Sequence, residues 1–370
     1  MKKLLFYSLM FLLAACGGDS DNGQTVPPGG QPVSKVGVLL SVNKNYINAD
    51  GEDAASFRIL FTDDKGFTYD IGEQAELLCN GEKIQLEELR FSSLEEGDFS
   101  FNADYNNYRS NTVKVSVVHG IASLPADSDP SNFSFKHRML LVQHTGNTCP
   151  NCPRMMNLLK SLSEDEAYNT LYHQVASHSY NKTDKAYSGA AVLLSREFNL
   201  DGYYPWLTFD YTTDYEHEIS AVKSYIDQHH RAEAATGLSA AVSLVDNRLY
   251  INVGVKVATS GNYRIAVWIL EDNIKSNQSG ATASWHHIHH NCLREMLGDN
   301  KTTRIYGTPL GDLDSGETVN YITAALLVDS WAAENCKAMI LTSARGSDGE
   351  FHLVNCTVCA PGETVSYEYN

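Results

Sequence analysis

Met139, Leu140, Leu141 and Val142 follow one another with no polar residue between them. A strand exposed on one face alternates apolar with polar residues, so an unbroken run of this kind belongs to a strand covered on both faces. The run gives way at His144-Thr145-Gly146. Pro150 and Pro153 then fall in what would be the first turn of the next helix, and MMNLLKSLSED continues with helical apolar spacing. Proline does little harm in the first turn of a helix, where its missing N–H has no intrahelical partner. The junction therefore predicts a strand leading directly into a helix.

The same strand-then-helix grammar holds over 136–234. TLYHQVASHS reads as a second strand and SGAAVLLSREF as a helix. A third strand is entered through Tyr204-Pro205, and DYEHEISAVKSYIDQHHRAEA closes the segment as an amphipathic helix with Ile219, Val222, Tyr225 and Ile226 on one stripe. On either side the pattern changes to short alternating runs. Residues 35–118 (KVGVLLSV, SFRILFTD, VKVSVVHG) are broken by turn signals such as Asn80-Gly81, and INADGEDAASFRILFTDDKG resembles bacterial immunoglobulin-like modules. Residues 119–135 are rich in Ser, Asp and Pro and read as a linker, and 235–370 alternate again. The expected fold class is multidomain α+β: an N-terminal Ig-like β-sandwich (35–118), a central α/β domain (136–234) and a C-terminal β-sandwich (235–370). No fixed period suggests a solenoid or propeller.

Lys2 and Lys3 precede an apolar run, Leu4 to Ala15, shorter than the ~20 residues of a membrane-spanning helix. It reads as a signal peptide (1–15) ending in Leu13-Ala14-Ala15-Cys16, which resembles a bacterial lipobox. The resemblance implies acylation of Cys16, whose chains anchor a protein at ~0.8 kcal/mol per buried methylene. Residues 16–34, with much Gly, Pro and Ser, read as a flexible tether. Gly17, not Asp, follows the cysteine, which favours the outer membrane on either face. Attachment is expected through lipid alone. The formal charge of -17 repels phosphate backbones, so nucleic acid is not an expected partner.

Cys149-Pro150-Asn151-Cys152 stands at the strand-to-helix junction. Unpaired N–H groups and the dipole at a helix N-terminus stabilise an anion, so Cys149 is expected to cap that end with a lowered thiol pKa and Cys152 to lie one turn on. That arrangement serves thiol-disulfide exchange, in which one thiolate attacks and the other resolves the mixed disulfide. The residues leave two other readings open: an idle or structural disulfide, and a metal pair. With Tyr204-Pro205 some 50 residues on, residues 136–234 resemble a thioredoxin-like domain, and the resemblance implies that Pro205 is a cis-proline facing the disulfide. Two positions depart from that family: Gln143 stands where thioredoxins bury a carboxylate, and Thr148 where an aromatic residue precedes the first cysteine. Taken whole, the chain is similar to the lipoproteins grouped with a 28-kilodalton outer membrane protein of Bacteroidetes-type bacteria, on the lipobox, the TG..C..CP element and HHNCLREML at 289–297. The function expected is membrane-tethered thiol-disulfide exchange on protein thiols or disulfides, with Cys149, Cys152 and Pro205 at the site. The alternative is a non-catalytic surface binding or adhesion lipoprotein on the same scaffold.

Three other groups stand out. In WHHIHH, if extended, His287 and His289 share one face and His286 and His290 the other; no further ligand is fixed by spacing, and neither a metal nor a cofactor is expected. A hairpin turning at Gly346 would set Cys336 opposite Cys356, leaving Cys292 and Cys359 as a second candidate disulfide pair. Cys356-Thr357-Val358-Cys359 is a second CxxC by spelling, but in strand context. Cys79 reads as a buried small hydrophobe.

Overall fold

The computed structural model describes residues 36–370; the signal peptide, the Cys16 acylation site and the tether expected from the sequence lie outside them. With 43% of residues in strands and 16% in helices, the protein is mostly β-sheet, built from several sheets in more than one domain. In the N-terminal part, Gly37–Val42 and Ala55–Thr62 belong to one sheet and Gly97–Tyr105 and Val113–Val118 to another. The two enclose a single core that includes Leu40, Ile47, Ile59, Phe101 and Val115. Alternation produces this directly: Val113, Val115 and Val117 are buried, while Lys114 between them is exposed. Cys79 lies part-buried beside that core as a free thiol, its pKa raised by burial and then by Glu82.

The central stretch follows the strand–helix order: β1 (Met139–Thr145), α1 (Cys152–Ser163), β2 (Tyr172–His178), α2 (Gly189–Phe198), β3 (Trp206–Phe209), β4 (Tyr215–Glu216) and α3 (Ile219–His229). Every residue of β1 is buried. Met139 and Leu141 pack with α1 and α3, through Met155, Leu159, Val222 and Ile226, while Leu140 and Val142 pack with Leu194 and Phe198 of α2. The apolar run is continuous because each of its faces has its own helical layer.

The sheet does not stop at residue 234. β5 (Gly261–Glu271), β6 (Cys292–Met296), β7 (Cys336–Arg345) and β8 (Phe351–Cys359) continue it, giving the order β4-β3-β1-β2-β6-β5-β7-β8 in a nine-stranded sheet, with Thr308–Leu313 as a branch on β5. The seam is slight: β2 meets β6 in parallel at Ala176 and Cys292. On β5, Tyr263, Ile265, Val267 and Ile269 face a second sheet that contains Thr236–Val245 and Arg248–Val257. Ala266, Trp268 and Leu270 face the layer of α2. The expected division into a central domain and a separate C-terminal sandwich is thus crossed by one sheet, because β5 is apolar on both faces and cannot serve as an exposed edge.

The 119–135 stretch contains no strand or helix, yet it is fastened down. Buried Lys256 holds Asp127 at 2.8 Å, the Asp129 carbonyl at 3.1 Å and the Tyr369 hydroxyl at 3.0 Å, and Phe135 is wholly buried.

Candidate functional site

β1 ends at Thr145 and the chain turns through 146–151 before α1 begins at Cys152. The turn is closed by Cys149 N–H donating to the Gly146 carbonyl (3.1 Å) and Cys152 N–H donating to the Cys149 carbonyl (3.3 Å). The helix cap is Asn151, whose side chain makes no capping bond, and Pro153 follows in the first turn. The expected cap is therefore displaced: Cys149 lies in the turn before the helix, and Cys152 is the first helical residue. The two are joined by a disulfide with a Cα–Cα distance of 5.5 Å. Tyr204–Pro205 is a cis peptide, and Pro205 lines the same cleft of about 600 Å³ as Pro150, Asn151, Pro153 and Trp206.

Period-two geometry decides which β1 side chains face α1. Gln143 lies on the α1 face of β1 and His144 on the α2 face. His144 is fully buried between the Ser195 hydroxyl (2.8 Å) and the Thr208 hydroxyl (3.1 Å), and burial lowers its pKa to about 3, so it is neutral and turned away from α1. Gln143 is buried; its carbonyl oxygen accepts from the Gln174 amide at 3.4 Å, and its own amide nitrogen has no hydrogen-bond partner. It borders a cavity of about 260 Å³ shared with Met156, His178, Trp285 and His289.

Asp184 fixes the approach to the turn. Its carboxylate accepts from Asn147 N–H (2.7 Å), from His178 Nδ1–H (2.7 Å) and from Ala186 N–H (3.0 Å). Burial pushes its pKa up, but the hydrogen bonds from His178 and the backbone outweigh that and hold it at about 2.

A segment outside the central stretch docks on the turn that carries the disulfide. Ser279 N–H donates to the Asn147 carbonyl (2.6 Å), and the Gln278 side-chain amide donates to the carbonyls of Cys149 (2.9 Å) and Gly146 (3.4 Å). Asn147 Nδ2 in turn reaches Ser276 Oγ at 2.7 Å. In this turn Cys149 is only 2% exposed and Cys152 wholly buried. The sequence gives one sign of the segment, the Ser-Gly turn signal at 279–280, but nothing local indicates where it docks.

The remaining candidates are dispersed. WHHIHH is not extended: Ser284–His287 is a 3-10 turn and only Ile288–His289 is strand, so the expected sharing of faces does not arise. Among the described residues no group of three or more His, Cys, Asp or Glu is placed to hold a metal. The expected C-terminal disulfides do not form: Cys292, Cys336, Cys356 and Cys359 are free and buried. Pairing of Arg345 with Phe351 puts the turn beyond Gly346, so Cys356 faces Leu341, while Cys336 faces Glu271 on β5. Burial raises the Cys336 thiol to about 12 and the Cys359 thiol to about 11.

No protein-family model matches the chain, and no curated protein matches it either. Among solved structures it is similar to HBP35 of Porphyromonas gingivalis, with a TM-score of 0.51 at 12% identity over 63% of this chain and 77% of that one. That likeness concerns the fold. The Yersinia pseudotuberculosis adhesin InvE is also matched, at 7% identity over 88% of this chain and 59% of that one, but its TM-score of 0.16 carries no weight. No described helix is long and apolar enough to cross a membrane.

Proposed function

We propose that the protein is a lipid-tethered, thioredoxin-like thiol-disulfide exchange protein, with Cys149 as nucleophile, Cys152 as resolving thiol and Pro205 shaping the substrate groove. One observation carries this reading: the Cys149–Cys152 disulfide closes the turn entering α1, and the cis Tyr204–Pro205 borders the same cleft. In the reducing direction, the Cys149 thiolate attacks a sulfur of a substrate disulfide and expels the other substrate sulfur as a thiolate. Cys152 then displaces the remaining substrate sulfur and closes Cys149–Cys152. Two electrons pass to the substrate, whose thiolates take up the two protons the protein gives up. Oxidation of a substrate dithiol is the reverse. The Ig-like name for 35–118 and the sandwich name for the C-terminal sheets belong to the same proposal, supported by paired sheets around shared cores.

A second reading, a non-catalytic surface binding lipoprotein, is favoured by the burial of Cys149. Insulin-type disulfide turnover by the mature chain separates the two. Turnover lost in a Cys149→Ser/Cys152→Ser variant supports exchange; no turnover above background, with ligand binding unaffected by the double substitution, overturns it. Anchoring to the outer membrane through Cys16 is tested by palmitate labelling, which Cys16→Ser should abolish.

A further inference from the structure

Residues 276–283 approach the disulfide turn more closely than a side chain would allow. Gly280 has φ +71, and a Cβ placed there would lie 2.1 Å from the Pro150 carbonyl oxygen and 3.0 Å from Pro150 Cα. Only glycine combines that backbone conformation with that approach. The segment's hydrogen bonds to the turn end on the carbonyls of Gly146, Asn147 and Cys149 and on the Asn147 side-chain amide, so it grips the turn rather than the sulfurs.

The histidines of WHHIHH hold the segment at both ends. His289 Nε2–H donates to the Ser276 carbonyl at 3.4 Å. His287 Nδ1 accepts from Gln278 N–H at 3.0 Å. His286 Nδ1 accepts from the N–H groups of Thr282 (3.2 Å) and Ala283 (3.3 Å), and its Nε2–H donates to Asn157 Oδ1 on α1 at 3.0 Å. A polar segment is thus held against the disulfide turn chiefly by hydrogen bonds, which are individually weak in net terms. Such segments open at lower free energy than the core around them.

We propose that residues 276–283 are a lid over Cys149–Cys152, scaffolded by His286, His287 and His289, with Gly280 setting how closely it seals and therefore what reaches the Cys149 sulfur. The role of the lid in exchange rests on the function proposed above; its control of access to the disulfide does not. With the lid down, the cleft beside Pro205 is walled by Gly280 and Thr282, and the cysteine sulfurs are shut off from it. Exchange with a protein substrate requires the lid to lift.

The test compares the mature oxidised protein with Gly280→Val and with Gln278→Ala. The first drives a side chain into Pro150; the second removes the amide from the Cys149 and Gly146 carbonyls and adds no bulk. The readout is the rate at which dithiothreitol reduces Cys149–Cys152, followed by alkylation and mass analysis, with near-ultraviolet circular dichroism to check the fold. Gly280→Val should be reduced tenfold or more faster than wild type, and Gln278→Ala severalfold faster. Hydrogen exchange at the Ser279 amide in wild type should run ahead of that in β1. If Gly280→Val does not fold, Gln278→Ala and the exchange rate decide. Wild-type rates in the folded variants, or a Ser279 amide as protected as β1, overturn the lid. Faster reduction without any insulin turnover leaves the lid standing and removes the exchange function.

Discussion

The chain spells CxxC twice, and the two copies have opposite fates. In the turn before α1, Cys149 and Cys152 come within a Cα–Cα distance of 5.5 Å and bond. On β8, Cys356 packs with Trp268 and Leu341 on one side of the sheet, while Cys359 packs with Ile340 and Val354 on the other, and both stay free. Strand residues three apart are separated by about 10 Å and point to opposite faces. The spacing is common to both sites; the backbone conformation decides the chemistry.

The first way to break this contrast is all-or-none. Peptide mapping of the oxidised protein, alkylated under denaturing conditions, should show Cys149–Cys152 linked and Cys292, Cys336, Cys356 and Cys359 each alkylated. A bond between Cys356 and any other cysteine would break the comparison. Next in size, native-state alkylation of Cys356 should be roughly a thousandfold slower than in the unfolded chain, because the thiol reacts only when the core opens. Burial, and then Asp210, also push its pKa well above the ordinary value. Rapid labelling of native Cys356 would contradict that.

A smaller effect concerns packing. The single Cys356 S–H is shared between the carbonyls of Arg138 (3.4 Å) and Met139 (3.5 Å), tying β8 to the start of β1. Cys356→Ser, which places a more polar group in that core, should cost roughly 1–3 kcal/mol in urea unfolding. An unchanged midpoint would show that the second CxxC has no packing role.

Acid sensitivity on the disulfide's side of the molecule tests the contrast by pH instead of by substitution. Burial lowers the pKa of His144 to about 3 and, with the charge of His178, that of His289 to about 4. Both are neutral when folded and take up a proton near pH 6.5 when unfolded. Their contribution is therefore complete above 6.5 and is lost as pH falls toward 4 and then 3, at most about 1.4 kcal/mol per pH unit for each histidine. Stability should decline between pH 6.5 and 4.5, and an organomercurial should reach Cys149 of the reduced protein before Cys356. A urea midpoint that does not move over that range would remove the histidines from the account.

The site was legible where its chemistry is local. The unbroken β1 run, the prolines around the start of α1, Tyr204-Pro205 and the apolar stripe of α3 each show their geometry within a few residues, and a disulfide across two intervening residues needs no distant partner. Legibility ended where register or docking entered. Cys336 misses Cys356 because the hairpin turns beyond Gly346, and the WHHIHH histidines bind backbone groups of a loop, which no ligand spacing records.

By itself, the sequence determined a strand covered on both faces, the helix that follows it and a cysteine pair able to close a turn, because periodicity and proline chemistry act over a few residues. Only the tertiary structure decided that β5–β8 extend the same sheet and that Gly280 comes to rest on Pro150. Those outcomes depend on how distant apolar faces and unpaired backbone groups find partners, and a chain read residue by residue does not contain the distance between 150 and 280.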